Sequence, residues 1–327
     1  MLVTGGAGFV GSTLVRLLAA ETDHEVTVFD AFTYAGHEAT GRELAALPGV
    51  RVVRGDVRDR EAVRSALAGH PTVIHLAAAS HVDRSLVEPD VFVTTNVGGT
   101  GIVCEEAGRA GVERLLHVST DEVYGSIEIG AATEDAPLRP TSPYSATKAG
   151  ADLLALAHHA SHGLPVVVTR STNLFGPYQH PEKLIPRSIT QLLLGGTIDL
   201  YGDGGHRRDW LPVEDGCRAL LLALELGQIG TVYNIAGLGP RPNLEVATAL
   251  VEALDLDVDR IRFVEDRPGH DRRYAVDDAR FAALGTWRTT SFDDGLAATV
   301  RWYVDRRDWW APLVADSHRP TRSGSRR

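Results

Sequence analysis

The chain has 327 residues, of which 43% are hydrophobic and 23% charged, and its formal net charge is −10. A chain of this length can build a core without disulfides or metals, so Cys104 and Cys217, its two cysteines, are predicted to be reduced core residues. The acidic balance argues against nucleic acid as a partner, because phosphate binding needs a basic surface. No apolar run approaches the ~18 residues that cross a membrane. No signal-peptide pattern opens the chain, and a cytoplasmic globular protein is predicted.

The first half of the chain alternates short β-branched runs with helical apolar spacing. The predicted strands cover residues 2–4, 25–29, 50–53, 73–76, 115–119 and 165–169. Strands and helices that alternate in this way predict a doubly wound α/β fold, with a parallel sheet covered on both faces. Only four residues precede Gly5, so the first strand is predicted to be very short.

Beyond about residue 170 glycine and proline become frequent, and helices are predicted near residues 184–194, 213–226 and 244–254. We therefore predict a first domain over residues 1–172 and a smaller C-terminal lobe over 173–315, part of which returns to the first domain. Residues 316–327 are rich in arginine and nearly free of apolar side chains, which predicts a disordered tail.

A glycine motif, made of Gly5, Gly8 and Gly11, joins the first strand to the first helix. Two of these glycines allow a tight turn and a close approach of pyrophosphate to the backbone, and the third lets the helix pack on the strand. Asp30 ends the second strand about 20 residues further on, where a carboxylate can accept hydrogen bonds from both ribose hydroxyls. Such a carboxylate would repel a 2′-phosphate, so the motif favours NAD over NADP. Asp56, after the third strand, is expected near the adenine, or it caps the next helix.

Tyr144 and Lys148 lie four residues apart, on one face of a helix. A phenol is a poor base at neutral pH because its pKa is near 10. An ammonium group one turn away, with the positive nicotinamide, favours the phenolate. Ser119 and Thr120 lie at the C-terminal end of a predicted strand, where open α/β sheets bind their ligands. The combination with the glycine motif predicts a redox site.

Two adjacent acids, Asp121 and Glu122, follow this strand end. An elimination reaction needs both an acid and a base, which two carboxyl groups beside a redox cofactor can supply. The alternative is that these residues cap the following segment.

These motifs together resemble the extended short-chain dehydrogenase/reductase family of nucleotide-sugar enzymes over residues 3–310. Further matching segments are residues 34–36, 75–78, 80–85, 119–125, 176–186, 208–210 and 266–274. The resemblance implies a Rossmann fold, bound NAD, no metal, and dehydration of dTDP-glucose to its 4-keto-6-deoxy product. Family epimerases carry no such acid pair, and the decarboxylases carry the glutamate without the aspartate. Nucleotide-sugar 4-epimerase and UDP-glucuronate decarboxylase remain as alternative activities, although neither would need Asp121. A third alternative, a non-catalytic NAD-binding sensor, should lack the tyrosine or the lysine.

The resemblance also implies a role for each catalytic residue. Tyr144 takes the proton of the 4-hydroxyl as hydride passes from C4 to NAD, and Thr120 hydrogen-bonds the sugar near O4. Glu122 removes the C5 proton, and Asp121 protonates the departing 6-hydroxyl. Lys148 binds the nicotinamide ribose and lowers the pKa of Tyr144.

Two sets of binding residues follow from the same matching. The cofactor set is Gly5, Gly8, Phe9, Val10, Gly11, Asp30, Ala31, Phe32, Thr33, Asp56, Val57, Leu76, Ala77, Ala78, Ser80, Thr95, Tyr144, Lys148 and Leu174. The substrate set is Ser80, Thr120, Asn173, Lys183, Leu184, Asp199, Leu200, Tyr201, Arg208, Asn243, Asp266, Arg267, Pro268, Gly269 and His270. For any one of the arginines, a surface salt bridge is the alternative role.

The chain departs from the family pattern at Ala79, where a glutamate is usual, and at Leu174 and Phe175, where an asparagine and a tyrosine are usual. These departures leave the catalytic set intact and leave the exact sugar and nucleotide open. The helices around 92–110 and 144–162 are apolar beyond a single stripe, which indicates a second partner. The resemblance implies that they form the four-helix interface of a homodimer.

Overall fold

The computed structural model describes residues 1–266, 269–288 and 290–317. Its strands are β1 (Leu2–Thr4), β2 (Val26–Asp30), β3 (Val50–Arg54), β4 (Thr72–His75), β5 (Arg114–Thr120), β6 (Val166–Ser171), β7 (Asn173–Phe175), β8 (Ile198–Tyr201), β9 (Arg207–Pro212), β10 (Val232–Ile235), β11 (Pro240–Pro242) and β12 (Ile261–Val264). Each of the six predicted strands lies within two residues of the observed β1 to β6.

The helices alternate with these strands through the first half of the chain. They are α1 (Phe9–Glu21), α2 (Glu38–Ala45), α3 (Arg60–Leu67), α4 (Val82–Val87), α5 (Pro89–Phe92), α6 (Thr100–Ala110), α7 (Pro143–His162), α8 (Leu184–Leu193), α9 (Val213–Leu226), α10 (Asn243–Ala253), α11 (Ala279–Ala282), α12 (Phe292–Asp305) and α13 (Arg307–Ser317). A π-helical segment (Val93–Gly99) joins α5 to α6, and short 3₁₀ helices cover Asp121–Tyr124 and Val258–Arg260.

Seven strands form one parallel sheet in the order β10-β6-β5-β4-β1-β2-β3. The order reverses between β1 and β4, which is where ligands bind in sheets of this kind. The three residues of β1 are enough, because Leu2, Val3 and Thr4 each pair with both β2 and β4. This arrangement confirms the predicted doubly wound α/β fold.

Two cores cover the two faces of the large sheet. One packs α1 and α9 against the sheet through residues such as Leu14 and Leu220, and the other packs α3, α6 and α7 through residues such as Val63 and Val103. The predicted core cysteines, Cys104 and Cys217, are buried free thiols. No helix in the described part of the chain is long and apolar enough to cross a membrane.

A third core belongs to the C-terminal lobe, where α8, α10 and α12 pack together beside two small sheets, β11-β9-β7 and β12-β8. The chain returns to the large sheet through α9 and β10. From this packing we propose that the first domain ends at residue 172 and the lobe begins at residue 173. The returning segments, α9 and β10, then belong structurally to the first domain. Residues 316 and 317 of the predicted tail end α13, and the rest of that tail lies outside the described residues.

Candidate active site

Two cavities, of about 370 and 380 Å³, open at the carboxyl ends of the sheet strands and extend under the lobe. We call the one that contains Gly5, Gly8 and Gly11 the glycine-loop cavity, and the one lined by α8 and β8 the lobe cavity. Both volumes are in the range of small-molecule sites. The two cavities share one wall, formed by Glu122, Asn173, Leu174, Gln179, Glu182 and Lys183.

The glycine motif leaves no room for side chains at the start of α1. A Cβ on Gly11 would lie 2.3 Å from the carbonyl oxygen of Gly5, and Gly5 itself has φ +69°. Gly8 is the N-cap of α1, and no side chain caps the helix. The first amides of α1 can therefore bind an anion such as pyrophosphate, and the loop fits a dinucleotide.

Asp30 is held at the end of β2 by two backbone amides. Its Oδ2 accepts a hydrogen bond from Ala7 N at 2.9 Å, and its Oδ1 accepts one from Phe32 N at 2.8 Å. Burial raises the pKa of this carboxyl group. A carboxylate has about four lone-pair sites, so Asp30 can still accept hydrogen bonds from ribose hydroxyls.

Asp56 also lines the glycine-loop cavity, and its carboxylate accepts hydrogen bonds from the backbone and the guanidinium of Arg58. The N-cap of α3 is Asp59, which accepts from the amides of Glu61 and Ala62. The alternative interpretation of Asp56 as a helix cap was therefore wrong.

Every residue of the predicted cofactor set lines the glycine-loop cavity except Phe32. The Phe32 ring lies against α2, where a Cβ on Gly41 would come within 2.5 Å of it, and the Arg54 guanidinium lies 4.6 Å from the ring centroid. Phe32 therefore contributes its backbone amide to Asp30 rather than a side chain to the cavity.

The tyrosine–lysine pair lies on the first turns of α7, which begins with a capping box between Ser142 and Ser145. Lys148 is 5% exposed, and its Nζ donates a hydrogen bond to the carbonyl of Val118 at 2.7 Å. Burial lowers the pKa of Lys148 to about 8, and the charge of Asp152 opposes that change.

Tyr144 is also buried, and its pKa lies well above the usual value. Burial is the largest cause, the charges of Glu122 and Asp121 add to it, and a hydrogen bond with Thr120 opposes it. The expected net lowering of the Tyr144 pKa is thus not found in the protein alone, because burial and the neighbouring acids dominate.

The acid pair follows β5 directly. Thr120 is the N-cap of the 3₁₀ helix, because its Oγ1 accepts a hydrogen bond from Glu122 N at 3.2 Å. The capping alternative for the two acids was therefore wrong, since the threonine performs that role. Glu122 lines both cavities, whereas its chain neighbour Asp121 is buried and is not among the residues that line either one.

Asp121 is a buried acid that is protonated at neutral pH. Its side chain is 2% exposed, its Oδ1 accepts a hydrogen bond from the Thr120 hydroxyl at 3.3 Å, and its Oδ2 has no hydrogen-bond partner among the described residues. Burial, followed by the charges of Glu122 and Asp209, raises the pKa of Asp121 to about 8. This carboxyl group can therefore donate a proton, as a general acid must.

The substrate set divides between the two cavities. Most of its members line the lobe cavity, namely Asn173, Lys183, Leu184, Asp199, Leu200, Tyr201, Arg208, Asn243 and His270. Ser80 and Thr120 line the glycine-loop cavity. Asp266 and Gly269 lie outside both walls, and Arg267 and Pro268 lie outside the described residues.

Arg208 is the buried cation of the lobe cavity. Its guanidinium donates hydrogen bonds to the carbonyls of Arg207 and Asp271 at 2.8 and 2.9 Å and lies 4.1 Å from the centroid of the Tyr274 ring. No salt bridge of Arg208 occurs among the described residues, so the surface salt-bridge alternative was wrong for this arginine. A buried guanidinium without a paired acid suits a diphosphate.

His270 is positioned by two neighbours. Its Nδ1 lies 2.7 Å from Asp266, whose other oxygen lies 3.2 Å from His206 Nε2, and the two imidazole rings stack at 3.7 Å. These three residues are near enough to share a metal ion. The Asp266 carboxylate contacts both imidazoles, so we assign the group to the orientation of His270.

Several lining residues were missed by the sequence analysis. Arg187 and Gln191 line the lobe cavity and follow Lys183 at four-residue intervals along α8, a helical spacing that could have found them. Gln179 is buried in the shared wall. Its Nε2 donates to the carbonyl of Leu174 at 2.9 Å, and its Oε1 has no partner within the described part of the chain. It lies in a loop, where no periodic signal marks it.

The departures from the family pattern fall in different places. Leu174 lies in the shared wall, and Ala79 lines the glycine-loop cavity and belongs to the small cluster that contains Tyr144. Phe175 is fully buried in the lobe core, against Trp210 and Phe292. Only the first two can affect what the cavities bind directly.

Comparison with known proteins gives one consistent result. The profile of the NAD dependent epimerase/dehydratase family matches residues 1–236. A dTDP-glucose 4,6-dehydratase of Streptomyces griseus is 52% identical over 318 residues, which cover 96% of this chain and 97% of that protein.

Solved structures agree with the sequence matches. DesIV, a dTDP-glucose 4,6-dehydratase from Streptomyces venezuelae with NAD and TYD bound, has a TM-score of 0.93 at 49% identity, covering 95% of this chain and 99% of DesIV. A UDP-glucuronic acid 4-epimerase from Bacillus cereus, in complex with UDP-glucuronic acid and NAD, has a TM-score of 0.88 at 28% identity, covering 93% and 98% of the two chains.

Proposed function

The chain belongs to the NAD-dependent epimerase/dehydratase family, and we propose that it is a hydro-lyase that converts dTDP-glucose into the 4-keto-6-deoxy sugar with NAD as its cofactor. The observation that carries this function is the protonated, buried Asp121 directly before Glu122. A site that only oxidises and reduces a sugar has no use for a second proton donor beside its base.

NAD, when bound, supplies the chemistry of accepting hydride from C4 of the sugar and returning it at C6. The cradle of Gly5, Gly8 and Gly11 would hold its pyrophosphate, and Asp30 its adenosine ribose. Lys148 would hold the ribose near Tyr144, which takes the proton of the 4-hydroxyl. Thr120, beside both, orients that hydroxyl.

The elimination is performed by the acid pair. Oxidation at C4 makes the hydrogen on C5 acidic, and Glu122, which faces both cavities, takes that proton. The C5–C6 double bond forms as the C6–O bond breaks, and Asp121 gives its proton to the departing hydroxyl, which leaves as water. Glu122 returns its proton to C5 as C6 receives the hydride that C4 lost, so no net oxidation results.

The lobe cavity holds the nucleotide. Arg208 offers a buried guanidinium for the diphosphate, and the buried Oδ1 of Asn243 has no hydrogen-bond partner among the residues that the structure describes. Lys183, whose Nζ donates to the carbonyl of Ser80 at 2.7 Å, ties the lobe to the glycine-loop side. These contacts support a sugar that bridges the two cavities at their shared wall.

The test is incubation with dTDP-glucose and, separately, with UDP-glucose. We expect the alkali-induced absorbance of a 4-keto product with dTDP-glucose and a slower reaction with UDP-glucose. A 4-epimerase would instead interconvert the gluco and galacto sugars without that absorbance. A decarboxylase would act on UDP-glucuronate and release carbon dioxide. Either outcome would refute the dehydratase assignment.

We also propose that the protein is a homodimer. Val93, in the π-helical segment, and Leu153, on α7, are 50% and 58% exposed, and the elements that carry them pack against each other. Such an apolar face supports a self-complementary contact. A dimeric mass is expected by light scattering at micromolar concentration, and Leu153→Asp should reduce it to that of a monomer.

A cytoplasmic location stays a prediction. It is supported by Cys104 and Cys217, whose thiols are buried and have pKa values raised by burial, so neither is poised to form a disulfide.

A further inference from the structure

The helix α7 carries a third ionisable residue, Asp152, on the same face as the catalytic pair Tyr144 and Lys148. Tyr144, Lys148 and Asp152 follow one another at four-residue intervals, which places them on one side of the helix. Lys148 is 5% exposed and Asp152 is 0% exposed. A buried ammonium ion needs a compensating charge, because burial alone favours the neutral amine.

Asp152 is held rigidly and in its ionised form. Its Oδ2 accepts a hydrogen bond from Arg170 Nε at 2.9 Å, and its Oδ1 lies 3.2 Å from His117 Nε2. Although burial opposes ionisation, the hydrogen bond with His117 and the nearby positive charges leave the pKa of this carboxyl group below its usual value.

In the described part of the chain, the other groups packed around Lys148 carry no further negative charge. His117, on β5, and His75, on β4, are both fully buried with lowered pKa values, so they are neutral. His75 lies between the hydroxyls of Thr4 and Thr100, at 2.7 and 3.0 Å. Among the described residues, Asp152 is therefore the one anion that acts on Lys148.

Arg170, on β6, is the second cation of this cluster and has partners of its own. Its NH1 donates to the Tyr124 hydroxyl at 2.8 Å, and that hydroxyl donates to Asn234 Oδ1 at 2.8 Å. The Arg170 guanidinium thus holds the Asp152 carboxylate and also donates a hydrogen bond to a second buried network, that of Tyr124 and Asn234.

We propose that Asp152 is a positioning residue of the active site: fixed by Arg170 and His117, it is the counter-ion that keeps Lys148 an ammonium ion beside Tyr144. The inference rests on the proposed function for its catalytic part. The tyrosine needs the lysine's positive charge to act as a base, and the lysine keeps that charge in a buried position only while Asp152 is ionised.

The chain permits a direct test, because Lys148 and Lys183 are its only lysines. In protein labelled with ¹³C at the lysine ε-carbon, two resonances can be titrated with pH, and Lys183→Arg assigns them. In Asp152→Asn we expect the pKa of Lys148 to fall by about one to two pH units, while Lys183 titrates as before. An unchanged Lys148 titration would overturn the proposal.

Two further variants separate the charge from its structural effects. Asp215→Asn removes another buried aspartate on a helix, one that accepts a hydrogen bond from Thr290 N at 2.9 Å, and it should leave the Lys148 titration unchanged. If Asp152→Asn does not fold, the double variant Asp152→Asn, Arg170→Met removes both charges of the ion pair. Because the loss of the Arg170 cation by itself raises the Lys148 pKa, the double variant is compared with Arg170→Met alone. The Lys148 pKa should be lower in the double variant, and equal values would overturn the proposal.

The catalytic part is read from the pH profile of turnover on dTDP-glucose. In Asp152→Asn the loss of kcat/KM at high pH should begin at lower pH, by the same interval as the Lys148 titration. A purely structural role would lower kcat/KM equally at every pH and would overturn the catalytic part. If the unmodified protein does not dehydrate dTDP-glucose, the proposed function fails, while the NMR result still decides the electrostatic inference.

Discussion

The two cavities are built by different means. The glycine-loop cavity is walled largely by backbone and small side chains, and its acid, Asp30, already holds two backbone amides. The lobe cavity is walled by long polar side chains such as Arg187, Gln191 and Arg262. Recognition by backbone depends on a local motif, whereas recognition by long side chains depends on elements that are distant in the chain.

Both cavities contain buried polar atoms that have no partner among the described residues, such as Ser119 Oγ in the glycine-loop cavity. In the lobe cavity, buried atoms such as Asn243 Oδ1 and Trp210 Nε1 have no hydrogen-bond partner in the described structure. An unpaired buried polar group costs about 1–3 kcal/mol, which a ligand can recover. A ligand can therefore supply polar pairing in either cavity, whereas the carboxylate of Asp30 already accepts two hydrogen bonds from the fold.

The largest effect is expected at Tyr144, in the wall of the glycine-loop cavity. Tyr144→Phe should reduce turnover by about 10⁴-fold or more, at the upper end for a general base, and no reduced nicotinamide should form. Stopped-flow absorbance measures both. Tyr274→Phe is the matched control in the lobe cavity, where the phenol donates to Asp271 at 2.8 Å, and it should still form reduced nicotinamide. Formation in Tyr144→Phe at the normal rate would exclude this residue as the base.

A smaller loss is expected from Asp121→Asn, which leaves the tyrosine and the lysine intact. Oxidation at C4 should continue and elimination should slow by about 10²–10⁴-fold, so the absorbance of reduced nicotinamide should build up. The 6-fluoro sugar, whose leaving group needs no proton, should largely rescue Asp121→Asn and leave Glu122→Gln impaired. The reverse pattern would show that the acid and the base have been assigned the wrong way round.

The pH profile should show two groups on its alkaline side. Asp121 and Lys148 each act in their protonated forms, and the pKa of each is about 8, so each loses its function as the pH rises above that value. One pH unit above these pKa values, kcat/KM for dTDP-glucose should be about 100-fold below its plateau, because both groups are needed. For the 6-fluoro sugar, which does not use Asp121, the fall should be about tenfold. Equal slopes for the two sugars would mean that Asp121 is not the acid.

On the backbone-built side, Asp30→Asn should weaken NAD binding by about 10- to 100-fold, the effect of one charged hydrogen bond. Calorimetry of NAD with cofactor-free protein measures it. Asp56→Asn is the matched control, because that carboxylate is engaged by Arg58, and it should have the smaller effect. A larger effect of Asp56→Asn would show that Asp56, rather than Asp30, binds the adenosine ribose.

The smallest effect is expected at the rim of the lobe cavity. The Arg262 side chain is 63% exposed and pairs with Asp199 at 2.8 Å, and exposed pairs contribute up to about 1 kcal/mol. Arg262→Ala should change KM by less than about fivefold, whereas Arg208→Lys, at a buried position, should raise KM about tenfold or more. Similar KM values would show that burial does not distinguish the two arginines.

The fold class and the first six strands could be predicted from the sequence, whereas β7 to β12, including β10 of the large sheet, were not predicted. The β1 to β6 strands and helices such as α9 were found within two residues, because apolar periodicity and the glycine motif are local signals. The glycine-loop cavity could be predicted for the same reason, since Gly5, Gly11 and Asp30 reach it from consecutive elements. Phe32 is the one predicted cofactor residue that does not line this cavity. Its backbone has φ +52°, and its ring lies against α2.

The lobe cavity and the charges of the site required the folded chain. Gln179 enters the shared wall because a loop packs beneath α12, where the Tyr303 hydroxyl donates to its carbonyl. No periodicity marks such a position. The protonation of Asp121 and the ionisation of Asp152 depend on burial and on charges from β5, β6 and β9. The sequence identifies the residue types that can bind and react, but a pKa is set by the solvent and charge around a group, and these arise only when distant segments pack together.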